Sequence, residues 1–267
     1  MLSSRSGRVK AARSLARRAS RTDRRLFLVE GPQAVREALA LPGCVAEIFA
    51  TDNAVAAHPE IHQAAIRGEV PWQLVEDAAL ASLAETVHPQ GLVAVCRFLH
   101  RPLPDLLTGS TRLVVVCADV RDPGNAGTVL RSADAAGADA AVLTGNSVDP
   151  YNGKAVRASA GSLFHLPLAI DPDTADVVAT LKQQGLAVLA ADGAGDLGLD
   201  DAIDADLLGR PTAWLFGNEA WGLPHELAEL ADYRVAIPIH GKAESLNLAT
   251  AAALCLYASA RAQRRAG

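Results

Sequence analysis

The run Leu113-Val114-Val115-Val116-Cys117-Ala118 has no charged or strongly polar side chain on either face of an extended chain. Such a strand must be covered on both sides, which excludes a one-sided surface hairpin and points to the interior of a parallel sheet flanked by helices. The chain repeats the theme. Residues 186–191, 214–216 and 235–237 are further short apolar runs, and helix-forming stretches, one reaching about 136 and others over 154–161, 174–184 and 248–264, alternate with them. This alternation predicts an α/β domain with a parallel sheet.

Three of these runs end in loops rich in glycine and polar groups. The first exits through Asp119-Val120-Arg121-Asp122-Pro123-Gly124-Asn125-Ala126-Gly127, the second through Gly217-Asn218-Glu219, and the third through Pro238-Ile239-His240-Gly241. Ser245 and Asn247 then stand at the mouth of an alanine-rich helix whose backbone is able to approach a neighbour closely. Polar residues gathered at strand ends and a helix start mark the place where open α/β sheets bind ligands. The 124–127 turn has GxxG rather than GxGxxG spacing, and no acid closes the strand near 141–143, so a dinucleotide fingerprint is missing. Taken alone, Asn125 also reads as a helix N-cap and Arg131 as a solvated helix residue.

The first half reads as a smaller α/β unit over 25–99. Residues 25–31 form a strand leaving into a turn, and Pro32 opens a helix to about 41, since proline is well tolerated at a first helical position. Residues 45–50, 72–75 and 90–96 read as strands, and 78–86 as a short helix. A linker over 100–111 starts with His100-Arg101-Pro102-Leu103-Pro104, whose prolines interrupt both helix and ladder. His58 and His62 have the spacing of a helical metal pair, but Pro59 lies between them and a third ligand is missing, so no metal is expected.

Net charge conceals an asymmetry. Residues 1–25 hold nine basic side chains against Asp23 alone, about +8, leaving sixteen basic and twenty-nine acidic residues elsewhere, about −13. A basic N-terminal arm over 1–24 on an acidic body reads as a polyanion contact, or else as a solubilising tail. Arginine outnumbers lysine there eight to one, which suits bidentate phosphate contacts. Cys44, Cys96, Cys117 and Cys255 show no CxxC spacing and mostly sit in apolar runs, as reduced core thiols do. With neither a signal-like apolar run nor a membrane-length apolar stretch, the expectation is a cytoplasmic protein that makes no use of a membrane.

Three segments together carry a resemblance. Asn125-Ala126-Gly127-Thr128-Val129-Leu130-Arg131, Phe216-Gly217-Asn218-Glu219-Ala220-Trp221-Gly222-Leu223, and Ile237-Pro238-Ile239 through Ser245-Leu246-Asn247 resemble, in order, the three motifs of the SpoU (TrmH) family of RNA 2′-O-ribose methyltransferases in the SPOUT superfamily. Phe27-Leu28-Val29-Glu30-Gly31 with Pro89-Gln90-Gly91-Leu92 is similar to the N-terminal, L30e-like substrate-binding domain found in that family.

The resemblance implies a C-terminal parallel-sheet SPOUT domain over 112–265 with a deep trefoil knot, following a small α/β L30e-like RNA-binding domain. It implies S-adenosylmethionine as cofactor, contacted by Gly217, Ile237 and Leu246, and no catalytic metal. It implies Arg131 as the catalytic residue, stabilising the developing 2′-oxyanion because a guanidinium remains protonated. Asn125, Glu219, Ser245 and Asn247 match the remaining polar motif positions, with loop-capping hydrogen bonds as their plainer role. A homodimer, in which Arg131 of one subunit meets the cofactor of the other, and an RNA substrate, rRNA ahead of tRNA, complete the expectation. A non-catalytic RNA-binding or ribosome-assembly protein on the same fold is the rival.

Overall fold

The structure, a computed structural model, describes residues 1–266. The chain forms two compact units, Met1–Leu99 together with Asp149–Phe164, and His100–Val148 together with His165–Gly267.

In the first unit, helices α1 (Gly7–Arg13) and α2 (Arg18–Arg24) lead into β1 (Leu26–Glu30), α3 (Pro32–Ala40), β2 (Val45–Ala50), α4 (Asp52–Ala57), α5 (Pro59–Arg67), β3 (Trp72–Leu74), α6 (Asp77–Ala81) and β4 (Leu92–Arg97). The sheet order is β1-β4-β2-β3, with β4 antiparallel to both neighbours and β3 parallel to β2. Residues 1–24 depart from the expected separate arm. Val9, Ala12 and Leu15 recur every third residue, so they share one face of the helical segment, and they are buried with Phe49, Val75, Leu80, Val93 and Val95 in one core. Eight of the nine basic side chains stay on the exposed side. The ninth, Arg21, is buried and forms an ion pair with Asp149 at 2.8 Å while donating to the carbonyls of Leu15 and Ala16 at 2.9 and 2.8 Å.

His58 and His62 do not share a helix. Pro59 takes the first position of α5, leaving His58 at its N-cap, and the His62 ring lies 4.7 Å from that of Trp72. No cluster of three metal-ligating side chains occurs among the described residues.

The second unit begins with β5 (Leu113–Ala118), α7 (Pro123–Ala136) and β6 (Ala140–Thr144). Residues 149–164, with the short helix α8 (Gly153–Ala158), then belong to the first unit. There Tyr151 stacks on Phe98 at 4.1 Å and accepts the Leu99 N–H at 2.8 Å. The chain continues through β7 (Leu168–Asp171), α9 (Thr174–Gln183), β8 (Ala187–Ala191), β9 (Leu197–Gly198), α10 (Leu199–Asp204), β10 (Thr212–Phe216), α11 (His225–Ala228), β11 (Tyr233–Ala236) and α12 (Leu248–Ala266).

The seven strands lie in the order β7-β6-β5-β10-β8-β11-β9, and every neighbouring pair is parallel. Strand β5 is buried at all six positions, as its apolar run demands. One face of the sheet packs Val114, Val116, Val142, Val188 and Leu215 with Val177, Val178 and Leu181 of α9. Helix α12 packs against α7 and the sheet strands β5 and β10. Its buried Ala249, Ala252 and Ala260 have short side chains, which permits the close approach anticipated from the alanine content. The fully buried Trp214 donates its indole N–H to Ser259 of this helix at 2.8 Å, so its polar atom is not orphaned.

Candidate active site

The C-terminal ends of β8, β10 and β11 open into a cleft of about 450 Å³ within the second unit. That volume is in the range of small-molecule sites, and strand ends of a parallel sheet are the usual position. Gly217, Ile237, Leu246, Glu219 and Ser245 all line it. In the sheet β8 lies between β10 and β11, so the loops after these two strands are not immediate neighbours, as two apolar runs with similar polar exits would suggest. The β8 loop fills the space between them, and Ala191, Asp192 and Gly193 also line the cleft. These residues escaped the sequence reading, although the Asp-Gly pair directly after an apolar run is a recognisable turn signal.

The 217–222 turn closes on itself. Asn218 and Gly222 exchange both backbone hydrogen bonds at 2.9 Å, and the buried Asn218 side chain donates to the Asp119 carbonyl at 2.8 Å while accepting the Ala220 N–H at 2.8 Å. Gly217 is required here for a local reason. A Cβ at this position would lie 2.3 Å from the Gly222 carbonyl carbon and 2.4 Å from the Leu223 nitrogen, both backbone atoms.

Glu219 ties this turn to the loop after β5. Its carboxylate accepts the N–H of Arg121 at 3.1 Å, the N–H of Asp122 at 2.9 Å and the Asn125 side-chain amide at 3.2 Å. Partial burial pushes its carboxyl up, but the Arg121, Asp122 and own backbone amides, with Asn125, outweigh this and hold it below the ordinary carboxylate range. Asn125 is not the N-cap of α7. Asp122 holds that position and accepts the Asn125 backbone N–H at 2.8 Å, which leaves the Asn125 side chain available. Its amide oxygen accepts from Asn247 at 3.1 Å. Asn247 also has the capping role considered for it, because its own oxygen accepts the N–H groups of Ala249 and Thr250 at the start of α12, at 2.9 and 3.3 Å. Glu219, Asn125 and Asn247 thus form one hydrogen-bonded chain across three loops.

Ser245 and Leu246 sit on the cleft wall, the former exposed and the latter half-buried. Arg131 stands apart. It lies six residues beyond Asn125 on α7, is exposed, and is not among the residues lining the cleft. At the end of β5, Cys117 is fully buried, and desolvation reinforced by the charge of Glu219 pushes its thiol up to about 12, which removes it as a nucleophile.

A parallel α/β sheet with a ligand-sized cleft at its strand ends and a polar side-chain chain bridging three loops defines an enzyme of the α/β class. Residues 112–257 match the SpoU rRNA Methylase family, and residues 7–94 match the MRM3-like substrate binding domain. The chain belongs to the SpoU rRNA methylase family. It is 36% identical, over 96% of both chains, to the 23S rRNA (guanosine(2553)-2′-O)-methyltransferase RlmP of Bacillus subtilis. Among solved structures it is similar to the AdoMet-bound rRNA methyltransferase of Sinorhizobium meliloti, with a TM-score of 0.85 and 31% identity over 96% of this chain and 94% of that one. It is equally similar, with a TM-score of 0.85 and 31% identity, to the SpoU methyltransferase AviRb of Streptomyces viridochromogenes in complex with AdoMet, covering 98% and 100% of the two chains.

Proposed function

We propose that this chain transfers a methyl group from S-adenosylmethionine to a ribose 2′-hydroxyl in 23S rRNA. The observation that carries the reading is the cleft itself. Gly217, Ile237 and Leu246, three residues distant in sequence, line one cavity beside the Glu219–Asn125–Asn247 chain. The residues present fit the cofactor. Ile237, Leu246 and Val235 offer apolar walls to an adenine, exposed backbone at Gly193 offers hydrogen bonds, and the carboxylates of Asp192 and Glu244 suit a cationic sulfonium and ammonium.

When bound, S-adenosylmethionine would supply an already activated methyl electrophile, so the protein's task is to place the hydroxyl and to stabilise its oxygen as the proton passes to water. Arg131 offers fixed positive charge to the oxyanion as it develops, a contribution worth about 10²–10³ in rate where such donors are deleted. Asn125 and Asn247 orient the ribose and its neighbouring phosphate, and Glu219 holds Asn125 in place through its charge-assisted bond. Because Arg131 lies away from the cleft of its own chain, the reading requires a homodimer that brings Arg131 of one subunit to the cleft of the other. Leu254 and Tyr257 on α12 are exposed apolar side chains available to such an interface. The separation of β10 from β11 by β8 is compatible with the trefoil knot of the family.

The first unit then acts as the L30e-like RNA-binding domain, with its exposed arginines adding salt-sensitive attraction to phosphate. An rRNA substrate places the protein in the cytoplasm, and among the described residues no helix is long and apolar enough to cross a membrane.

Incubation with tritiated S-adenosylmethionine and separately purified, unmodified rRNA and tRNA tests the proposal. Label in one 2′-O-methylated 23S rRNA nucleotide, lost in Arg131→Ala, is the expected result. Label confined to tRNA overturns the substrate, and RNA binding without label favours the non-catalytic rival.

A further inference from the structure

We propose that the first unit holds a pocket for one unstacked nucleobase of the RNA substrate, read by the side-chain amides of Gln33 and Gln90. The inference rests on the reading of this chain as an RNA-modifying enzyme, and it assigns the recognition contact to particular residues.

The pocket is about 330 Å³, formed by the end of β1, the start of α3, the 86–90 loop and α8. Its floor is already satisfied. The Glu30 carboxylate accepts the backbone N–H of Glu85 at 3.0 Å and the backbone N–H and hydroxyl of Thr86, and Arg157 pairs with Glu85 at 3.0 Å. The side chains of Gln33 and Gln90, by contrast, line the space and have no hydrogen-bond partner among the described residues. Gly31, at φ +91°, fixes the wall between them, and a Cβ there would approach the Gln90 Oε1 to 3.0 Å. Having no side chain, Gly31 also gives no side-chain cap to α3. Both side chains are exposed to solvent, and polar groups that converge on a concavity with no protein partner are free to exchange water for a polar ligand.

Charge decides which part of an RNA fits. Glu30 and Glu85 outnumber Arg157 around the floor, so a phosphate would enter against a net negative field. An uncharged base meets no such cost. A glutamine amide presents a donor and an acceptor side by side, the same pairing chemistry as the Watson–Crick edge of a base. That edge is free only where the base is splayed out of a helix, as in the loops through which proteins read RNA sequence. His88 lines the same pocket with a planar ring suited to stacking, and Val87 next to it is 89% exposed, an apolar side chain held out at the rim.

The test uses the full chain, in vitro transcripts of 23S rRNA and of tRNA, and filter binding as a function of salt. Gln33→Ala with Gln90→Ala is expected to weaken binding to whichever transcript the wild type prefers by about ten-fold or more, with the slope of log affinity against log salt unchanged. Cofactor affinity by calorimetry and the melting temperature are expected to stay at wild-type values. Arg13→Ala, on the exposed basic side of α1, serves as the contrast and lowers the salt slope by about one. Wild-type affinity in the double variant overturns the proposal, and so does a loss accompanied by a smaller salt slope, which would make the pocket a phosphate site. If Gln33→Met, which keeps the side-chain length without the amide, binds as tightly as wild type, the amide reading also fails. Absence of methyl label in 23S rRNA with the wild type refutes the proposed reaction, whereas the binding comparison still decides the pocket.

Discussion

Substitution of Gly217 by alanine is the sharpest probe of the cleft, because its cost follows from backbone atoms that have no rotamer to escape into. The new Cβ would lie 2.3 and 2.4 Å from the carbonyl carbon and oxygen of Gly222 and 2.4 Å from the Leu223 nitrogen, whereas ordinary contact starts near 3.4 Å. The 217–222 turn must therefore open by about 1 Å, and hydrogen bonds of 2.9 Å between Asn218 and Gly222 do not survive that displacement. Losing two such bonds costs about 1 kcal/mol each, and residual overpacking adds about 1–3 kcal/mol. If cofactor binding requires the closed turn, a penalty of about 3–5 kcal/mol raises the dissociation constant by about 150- to 5,000-fold. Calorimetric titration with S-adenosylmethionine measures this directly, and a thermal melt shows whether part of the penalty falls on global stability instead. Wild-type affinity together with a wild-type melting temperature would refute the argument that this glycine exists to let the turn close.

Three further outcomes follow from the same geometry. Glu219→Gln retains shape but offers one acceptor where two backbone N–H groups and an amide now bind, and is expected to cost about 1 kcal/mol after allowance for its exposure. Since the folded carboxyl lies below its ordinary value of 4.5, the contribution is fully present above that pH and fades as pH falls through the folded value, so urea midpoints of wild type and variant converge only below about pH 4.5. Mixing Arg131→Ala with Leu246→Asp under conditions of subunit exchange is expected to restore about a quarter of wild-type methyl transfer, as one site in each mixed dimer is intact; no recovery would mean that Arg131 acts within its own chain or elsewhere. Arg21→Ala leaves the Asp149 carboxylate, 11% exposed, without its cation and is expected to destabilise the protein by about 3–5 kcal/mol in chemical unfolding, a loss that a solvated arm residue would not produce.

The sequence disclosed those features whose causes are local. The apolar run of β5 and the strand–helix alternation led to a parallel sheet because burial on both faces and a crossover helix are properties of contiguous residues. Gly217, Ile237 and Leu246 were found through motif resemblance, and their meeting in one cleft is a consequence of three strands ending at the same edge. What stayed hidden depends on neighbours far along the chain. Net charge masked the three-residue spacing of Val9, Ala12 and Leu15, so a helical face that belongs to the first core read as part of a basic tail. Residues 149–164 pack through Tyr151 and Arg157 onto partners more than fifty positions earlier, which no local pattern announces. Gly217 illustrates the distinction within one residue: the resemblance makes it a cofactor contact, and the structure adds that the backbone of Gly222 lies where its side chain would be. The same turn carries Glu219, which reaches back to Arg121 and Asp122 nearly a hundred residues earlier. The Gly217 turn and the polar clasp are therefore mechanically joined, and any movement of that turn must also act on Asn125 and Asn247.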